Sequence, residues 1–404
     1  MAKTLFGGTA QQVFMGLVAA LMFIMAIEAS RFGFGDGMHG FFGWDDNGRI
    51  GWHSASVSDD NGVTRIRVRE DGCKIELEQE GEVVFTADER DLASLGPGAR
   101  FELEVRGCGD KFQLEASPGA AGGPPAVVAK LGGQDVAWDE AARERFHKAL
   151  QLIFETTGFD AEGRVERLYQ QGGAAAVLAA AGKMQSDWGQ RIFLHQLLRK
   201  ESLTVAETVE VWKLAGRSLG SDYELAQMIQ EAPPRHAADP AVKAAKIDAL
   251  RSIASDYELR RTFDFLLEQG ATGKDLEEML EVAAGKLSSD YEQAEFLLAV
   301  AKHLPAGEPL PASLDGALGT LSSDYELRRA LDPYIERPGL SRAELERLLQ
   351  VAIRGISSDY EMAELLTSVA EHQKSAEPWP PAVQRAIDDL ASDHDQRRAR
   401  EAFE

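Results

Sequence analysis

The 404-residue chain carries 66 acidic against 43 basic side chains, a formal net charge of −23 and a pI of about 4.8. That balance argues against a nucleic-acid partner, because a phosphate-binding face needs clustered Lys and Arg, and it works against electrostatic docking on anionic lipid. A hydrophobic content of 44% is ordinary for a folding chain, and the length allows two or three domains.

The first element, residues 1–29, is apolar. From Val13 to Ile27 the sequence reads VFMGLVAALMFIMAI with no charge. Extended back to Gly7 or Gly8, the run reaches about 20 uncharged residues, enough to cross a bilayer as a helix. Two readings compete. A signal anchor keeps the helix and leaves the bulk of the chain on the far side. A cleaved signal peptide needs small residues before the cut, and Ile27-Glu28-Ala29 fits that poorly. The anchor is the favoured reading, with secretion after cleavage as the alternative. Residues 30–62 are rich in Gly and aromatics, show no clear period and read as a spacer.

Residues 63–116 alternate as strands do. Ile66 and Val68, Ile75 and Leu77, Val83 and Phe85, Phe101, Leu103 and Val105, and Phe112 and Leu114 each fall on one face. The segment predicts a small antiparallel domain of four or five strands. On its own, a sheet of about 55 residues buries little and is marginal. The two cysteines of the chain, Cys73 and Cys108, both lie here at predicted hairpin tips. An exported domain would allow a disulfide between them; two free thiols are the alternative. Residues 117–137, opening with SPGAAGGPP, read as a linker.

Residues 138–404 hold a repeat. The dipeptide Ser-Asp recurs with Asp at positions 187, 222, 256, 290, 324, 359 and 393, a step of 34 or 35 residues. Five copies read Ser-Asp-Tyr-Glu: Ser221 with Glu224, Ser255 with Glu258, Ser289 with Glu292, Ser323 with Glu326, and Ser358 with Glu361. Ser-x-x-Glu before an apolar-periodic run is a capping box. The hydroxyl accepts from the N–H three residues on, and the carboxylate reaches back to the Ser N–H. Each copy therefore predicts a helix start, with the Asp charge beside the positive end of the helix dipole. Seven residues after each of the first six Asp lie Leu194, Ile229, Phe263, Leu297, Leu331 and Leu366. Seven before each Asp is an Ala, from Ala180 to Ala386, which points to a close approach of two helices. Ten before lie Val177, Trp212, Leu280, Leu314, Leu349 and Val383, with Lys246 as the one exception.

Each unit thus reads as helix, turn, helix, and neither helix can bury its stripe alone. The fold expected is mainly α: an α-solenoid of about seven two-helix repeats with caps, preceded by the apolar helix and the small β domain. Five residues after Asp, the charges alternate through Arg261, Glu295, Arg329, Glu364 and Arg398, so unlike charges are expected to face each other between neighbouring units, Arg261 and Glu295 among them.

No catalytic, cofactor-binding or metal-binding set emerges. Gly216-Arg217-Ser218-Leu219-Gly220 matches the nucleophile-elbow pattern, but that motif needs a strand before it and a helix is predicted there. Asp45-Asp46-Asn47-Gly48 and Asp59-Asp60-Asn61-Gly62 read as turns, since the distal Glu of a calcium loop is missing. The Ser-Asp row also admits an acidic ridge for cations or a basic partner, although capping accounts for these residues by itself.

The array resembles the Ser-Asp-Tyr-Glu repeats of bacterial membrane proteins, some of which are attached to antirepressor-type membrane metallopeptidases, the class that includes beta-lactam sensors. The segment from Gly81 to Leu103 is similar to the short β module that precedes such repeats. The chain lacks the peptidase domain and its zinc motif, so no catalytic residue carries over. What the resemblance implies is a non-enzymatic scaffold or sensor, single-pass in a bacterial inner membrane with its bulk in the periplasm, binding a protein or peptide through the repeat surface. An accessory or degenerate relative of a membrane metallopeptidase that regulates proteolysis is the alternative.

Overall fold

The computed structural model describes residues 38–44, 50–60, 62–70, 72–120, 123–305, 307–374 and 378–404, with side chains from residue 54 onward. The apolar stretch at 1–29 lies outside these residues. Among the described residues no helix is long and apolar enough to cross a membrane. The chain divides into two units, one ending at Phe159 and one running from Asp160 to Glu404.

The first unit is built on an antiparallel sheet. In chain order its strands are β1 (Met38–Trp44), β2 (Ile50–Asp60), β3 (Val63–Glu70), β4 (Cys73–Glu80), β5 (Val83–Phe85), β6 (Leu92–Leu95), β7 (Arg100–Arg106), β8 (Phe112–Ser117), β9 (Ala126–Leu131) and β10 (Gln134–Val136). Eight of them form one sheet in the order β1-β2-β3-β4-β7-β8-β9-β10, and β5 pairs with β6 separately. The alternation does what period two requires: Ile66, Val68, Ile75, Leu77, Phe101, Leu103, Phe112 and Leu114 are all buried on one face. The other face carries charge ladders, with Arg65 against Glu78 at 3.0 Å and Lys74 against Glu76 at 2.8 Å.

Three sequence expectations are corrected here. The 30–62 spacer contains β1 and β2, which extend the sheet. The 117–137 linker contains β9 and β10. The helix α1 (Glu140–Thr156) belongs to the sheet unit and not to the array that was expected to begin at 138. The reason is burial: the apolar sheet face needs a cover, and α1 supplies Phe146 and Phe154. Phe146 meets Phe101 edge-on at 5.9 Å between centroids and Phe154 meets Phe85 at 5.7 Å. Such pairs add about 0.5–1.5 kcal/mol beyond their buried area. Cys73 and Cys108 are joined in a disulfide, Cα atoms 4.8 Å apart.

The second unit is helical throughout. Its helices are α2 (Ala161–Ala181, broken at Gly172 and Gly173), α3 (Asp187–Leu198), α4 (Val205–Ser218), α5 (Asp222–Glu231), α6 (Pro240–Leu250), α7 (Asp256–Glu268), α8 (Gly273–Lys286), α9 (Asp290–His303), α10 (Leu314–Leu318), α11 (Asp324–Ile335), α12 (Arg342–Gly355), α13 (Asp359–His372), α14 (Pro381–Asp388) and α15 (Asp393–Ala402). Odd-numbered helices from α3 to α15 pack each on the next odd one, and even-numbered helices from α2 to α14 each on the next even one, giving two rows around one continuous core. Ala215, Ala249, Ala283, Ala317, Ala352 and Ala386 are all buried on the even-numbered helices. A Cβ added at Gly216 would come within 2.9 Å of the Ala249 Cα, so the backbones touch there. Ala249→Leu is accordingly expected to cost about 1–3 kcal/mol by overpacking, readable as a fall in the urea midpoint; an unchanged midpoint would show that α4 and α6 pack loosely at this point.

Candidate interaction surface

All seven Ser-Asp pairs open a helix, with Ser at the N-cap and Asp at the first helical position. The Ser hydroxyl accepts from the N–H three residues on: Ser221 from Glu224, Ser255 from Glu258, Ser289 from Glu292 and Ser323 from Glu326 at 3.3 Å, and Ser358 from Glu361 at 3.4 Å. This half of the box follows the sequence expectation.

The other half does not. None of Glu224, Glu258, Glu292, Glu326 and Glu361 reaches back to its Ser N–H. That N–H goes to the Asp one unit earlier. Ser221 donates to Asp187 at 2.7 Å, Ser255 to Asp222 at 2.7 Å, Ser289 to Asp256 at 2.7 Å, Ser323 to Asp290 at 2.8 Å, Ser358 to Asp324 at 2.8 Å and Ser392 to Asp359 at 2.7 Å. The same carboxylates take the N–H of the preceding residue, as Asp290 does from Ser322 at 3.2 Å, and the Ser322 hydroxyl adds a third bond at 2.7 Å. The physical reason is position. The neighbouring helix start brings an ionised acceptor alongside two outward N–H groups, and charge-assisted bonds of this kind are about twice as strong as neutral ones. Desolvation would raise the Asp290 carboxyl, but the Ser322 hydroxyl and the N–H groups of Ser322 and Ser323 outweigh it and hold the group below the usual aspartate range.

The freed Glu carboxylates turn to arginines, and they do so in alternation. Glu224 takes Arg191 of the preceding unit at 2.6 Å, and Glu292 and Glu361 likewise take Arg260 and Arg328. Glu258 and Glu326 instead take Arg261 and Arg329 of their own helices, each at 2.7 Å. The expected Arg261–Glu295 pair is not formed. Glu295 meets Arg329 on the following helix at 2.7 Å, and Glu364 pairs in the same way with Arg398. Unlike charges at the fifth position therefore meet at every second interface, and the repeating unit of the surface is a pair of segments.

These arginines lie over the tyrosines that follow each Asp. Arg261 sits over Tyr223, Arg260 over Tyr257, Arg329 over Tyr291, Arg328 over Tyr325 and Arg398 over Tyr360, all 5.6–5.8 Å from the ring centroid. The five rings are nonetheless 51–56% exposed, the most accessible large aromatics among the described residues. Equivalent positions on helices that pack in sequence put them in one row, along the edge where α5, α7, α9, α11 and α13 begin. The sequence marked the ring position but not its exposure or its arginine cover.

Ser218 closes α4, a helix, and its hydroxyl bonds to Gln190 at 2.9 Å and to the Leu214 carbonyl at 2.7 Å, so the strand that an elbow requires is missing. Of the two turn motifs, Asp59 and Asp60 end β2, and Asp45 to Gly48 lie outside the described residues. Among the described residues no group of three or more His, Cys, Asp or Glu is placed to hold a metal ion. No protein-family model, curated protein or solved structure matches the chain.

Proposed function

We propose that the helical unit is an α-solenoid and that the protein is a non-enzymatic interaction scaffold or sensor, held by its N-terminal apolar segment on the extracytoplasmic side of a bacterial inner membrane. Stacked rows of equivalent helices, capped one by the next, support the solenoid reading. The observation that carries the function is the row of five exposed tyrosines, each under a guanidinium. Tyr and Arg dominate the energetic centres of protein interfaces, because both present broad, rigid area that combines apolar contact with hydrogen bonding. A row at constant spacing suits an extended partner, a protein segment or peptide lying across the helix starts.

The test is crosslinking and affinity purification from membranes with the full chain and with a variant carrying Tyr257→Ala, Tyr291→Ala and Tyr325→Ala. Each ring gives up only an exposed cation–π contact of about 0.5–1 kcal/mol, so the variant is expected to keep its helicity and a urea midpoint close to wild type. It is expected to lose the partners that the unaltered chain captures. Retention of every partner would overturn the proposal. Capture of a separate metallopeptidase through the same row would favour a regulator of proteolysis over a general scaffold.

A further inference from the structure

Lys246 departs from the pattern of its unit. It holds the position that is Val, Trp or Leu in the other six, where an apolar side chain enters the core. Its ammonium lies 5.4 Å from the centroid of the Trp212 ring, and no carboxylate is within ion-pair distance among the described residues. Burial lowers its pKa to about 8. It lines a cleft of about 360 Å³ between α4, α5, α6, α7 and α8, within the size range of small-molecule sites. Trp212, Pro233, Phe265, Leu266 and Met279 form apolar walls.

The other charged groups lining the cleft are Arg235, Lys243 and Asp275. Asp275 is taken by Lys243 at 2.6 Å, which leaves the cleft with an excess of two cations in a chain of net charge −23. Arg235 sits on the loop after α5, beside His236, a non-glycine residue at φ 51° whose ring nitrogen Nε2 is 2.7 Å from the Leu203 carbonyl. Arg235 lines the cleft, with its Nη1 3.4 Å from the Glu201 carbonyl, and a strained residue held by a specific bond in the loop beside it is the kind of feature found at binding sites.

We infer that this cleft is a binding site for an organic carboxylate with an apolar body, the carboxylate meeting Lys246 and Arg235 and the body lying against Trp212, Phe265 and Met279. The ligand supplies the counter-charge that the fold withholds from Lys246. The site is separate from the tyrosine row and does not depend on the scaffold reading. A free small acid and the C-terminus of a peptide share this chemistry.

The test follows the Met279 methyl signal by NMR in the full chain labelled on its methionine methyl groups. Probes are phenylacetate, a short peptide ending in Phe with a free carboxylate, the same peptide amidated, and 2-phenylethanol. A saturable shift with a carboxylate probe but not with the amide or the alcohol is expected. The response to phenylacetate or to the peptide tells the two sources apart. Affinity is expected to fall as pH rises through the Lys246 pKa, because the neutral amine no longer attracts an anion. Lys246→Leu restores the residue type of the other units and is expected to fold, with carboxylate binding weakened at least about tenfold, a 1.4 kcal/mol difference. Equal binding of acid and amide, unchanged binding by a folded Lys246→Leu chain, or no saturable shift with either carboxylate at millimolar concentration would each overturn the assignment.

Discussion

Replacing Asp256 by Ala is expected to destabilise the helical unit by about 1.5–3 kcal/mol, the range for a part-buried hydrogen bond to a charged group, since the other two donors are exposed and can turn to water. Asp256 accepts the N–H groups of Ser288 and Ser289 at 3.1 and 2.7 Å and the Ser288 hydroxyl at 2.8 Å. All three belong to the next segment, so the loss falls on the contact between neighbours and not on either helix alone. Asp393 provides the control. It occupies the same place at the start of α15, and among the described residues its carboxylate accepts no N–H of a following helix start. Asp393→Ala gives up only the favourable charge at a helix N-terminus, at most about 1 kcal/mol. Urea denaturation of the two variants checks this, and equal losses would reduce the ladder to ordinary surface charge.

If the helical unit is the solenoid proposed, weakening one contact between neighbours also threatens cooperativity. Asp256→Ala is therefore expected to broaden the transition as well as shift it. One rung of the ladder, Asp290, carries a pH signature too. A carboxyl lowered in the folded state adds stability that is complete above its unfolded pKa and is lost as pH falls through its folded pKa. Asp290 is such a group. The contact between the segments at Asp290 and Asp324 is accordingly expected to weaken below about pH 4, where free aspartate takes up its proton.

The second large effect runs the other way. Lys246→Leu is expected to stabilise the protein by about 2–3 kcal/mol at neutral pH. The Lys246 amine falls from 10.5 to about 8 on folding. At about 1.36 kcal/mol per unit that gap is worth about 3 kcal/mol, reduced somewhat by solvent reaching the amine through the cleft. The sign follows from proton binding. Below the folded pKa both states are charged and the full penalty applies. Between the two values the unfolded chain binds the proton and the folded chain does not, so stability rises with pH. Above the unfolded value both are neutral and the penalty is gone. Wild type is thus expected to gain on the variant from pH 8 to 10.5. Parallel stability curves for the two chains across that window would show the ammonium to be well solvated in the folded state. A core position that trades stability for a charge fits a site for an anion.

Much of the local structure was legible because it rests on neighbours in sequence. The seven helix starts follow from Ser at the N-cap and the N–H three residues on, a contact made within one turn. The buried faces of β3, β4, β7 and β8 follow from alternation, and Lys246 stood out against six apolar residues at its position. Where the reading failed, the deciding partner was distant. Glu224 and its equivalents have the spacing of a capping box, but an Asp some 34 residues earlier takes the N–H and an Arg takes the Glu. The pairing of Glu295 with Arg329 and not Arg261 depends on which of two equally spaced neighbours its side chain meets.

The sheet unit makes the same point. Strand β9, AVVAKL, sits between Gly- and Pro-rich stretches and reads as linker until β8 is laid beside it. Helix α1 carries an apolar stripe that would suit either unit, and only the uncovered face bearing Phe85 and Phe101 decides which core it enters. By itself, then, the sequence determined where the seven Ser-Asp helices begin and which face of β3, β4, β7 and β8 is apolar, because capping and period act over a few residues. The tertiary structure decided which carboxylate satisfies which N–H, which rings remain in water, and that Lys246 borders a cleft. Those outcomes depend on competition among groups that only folding brings within a few ångströms of each other.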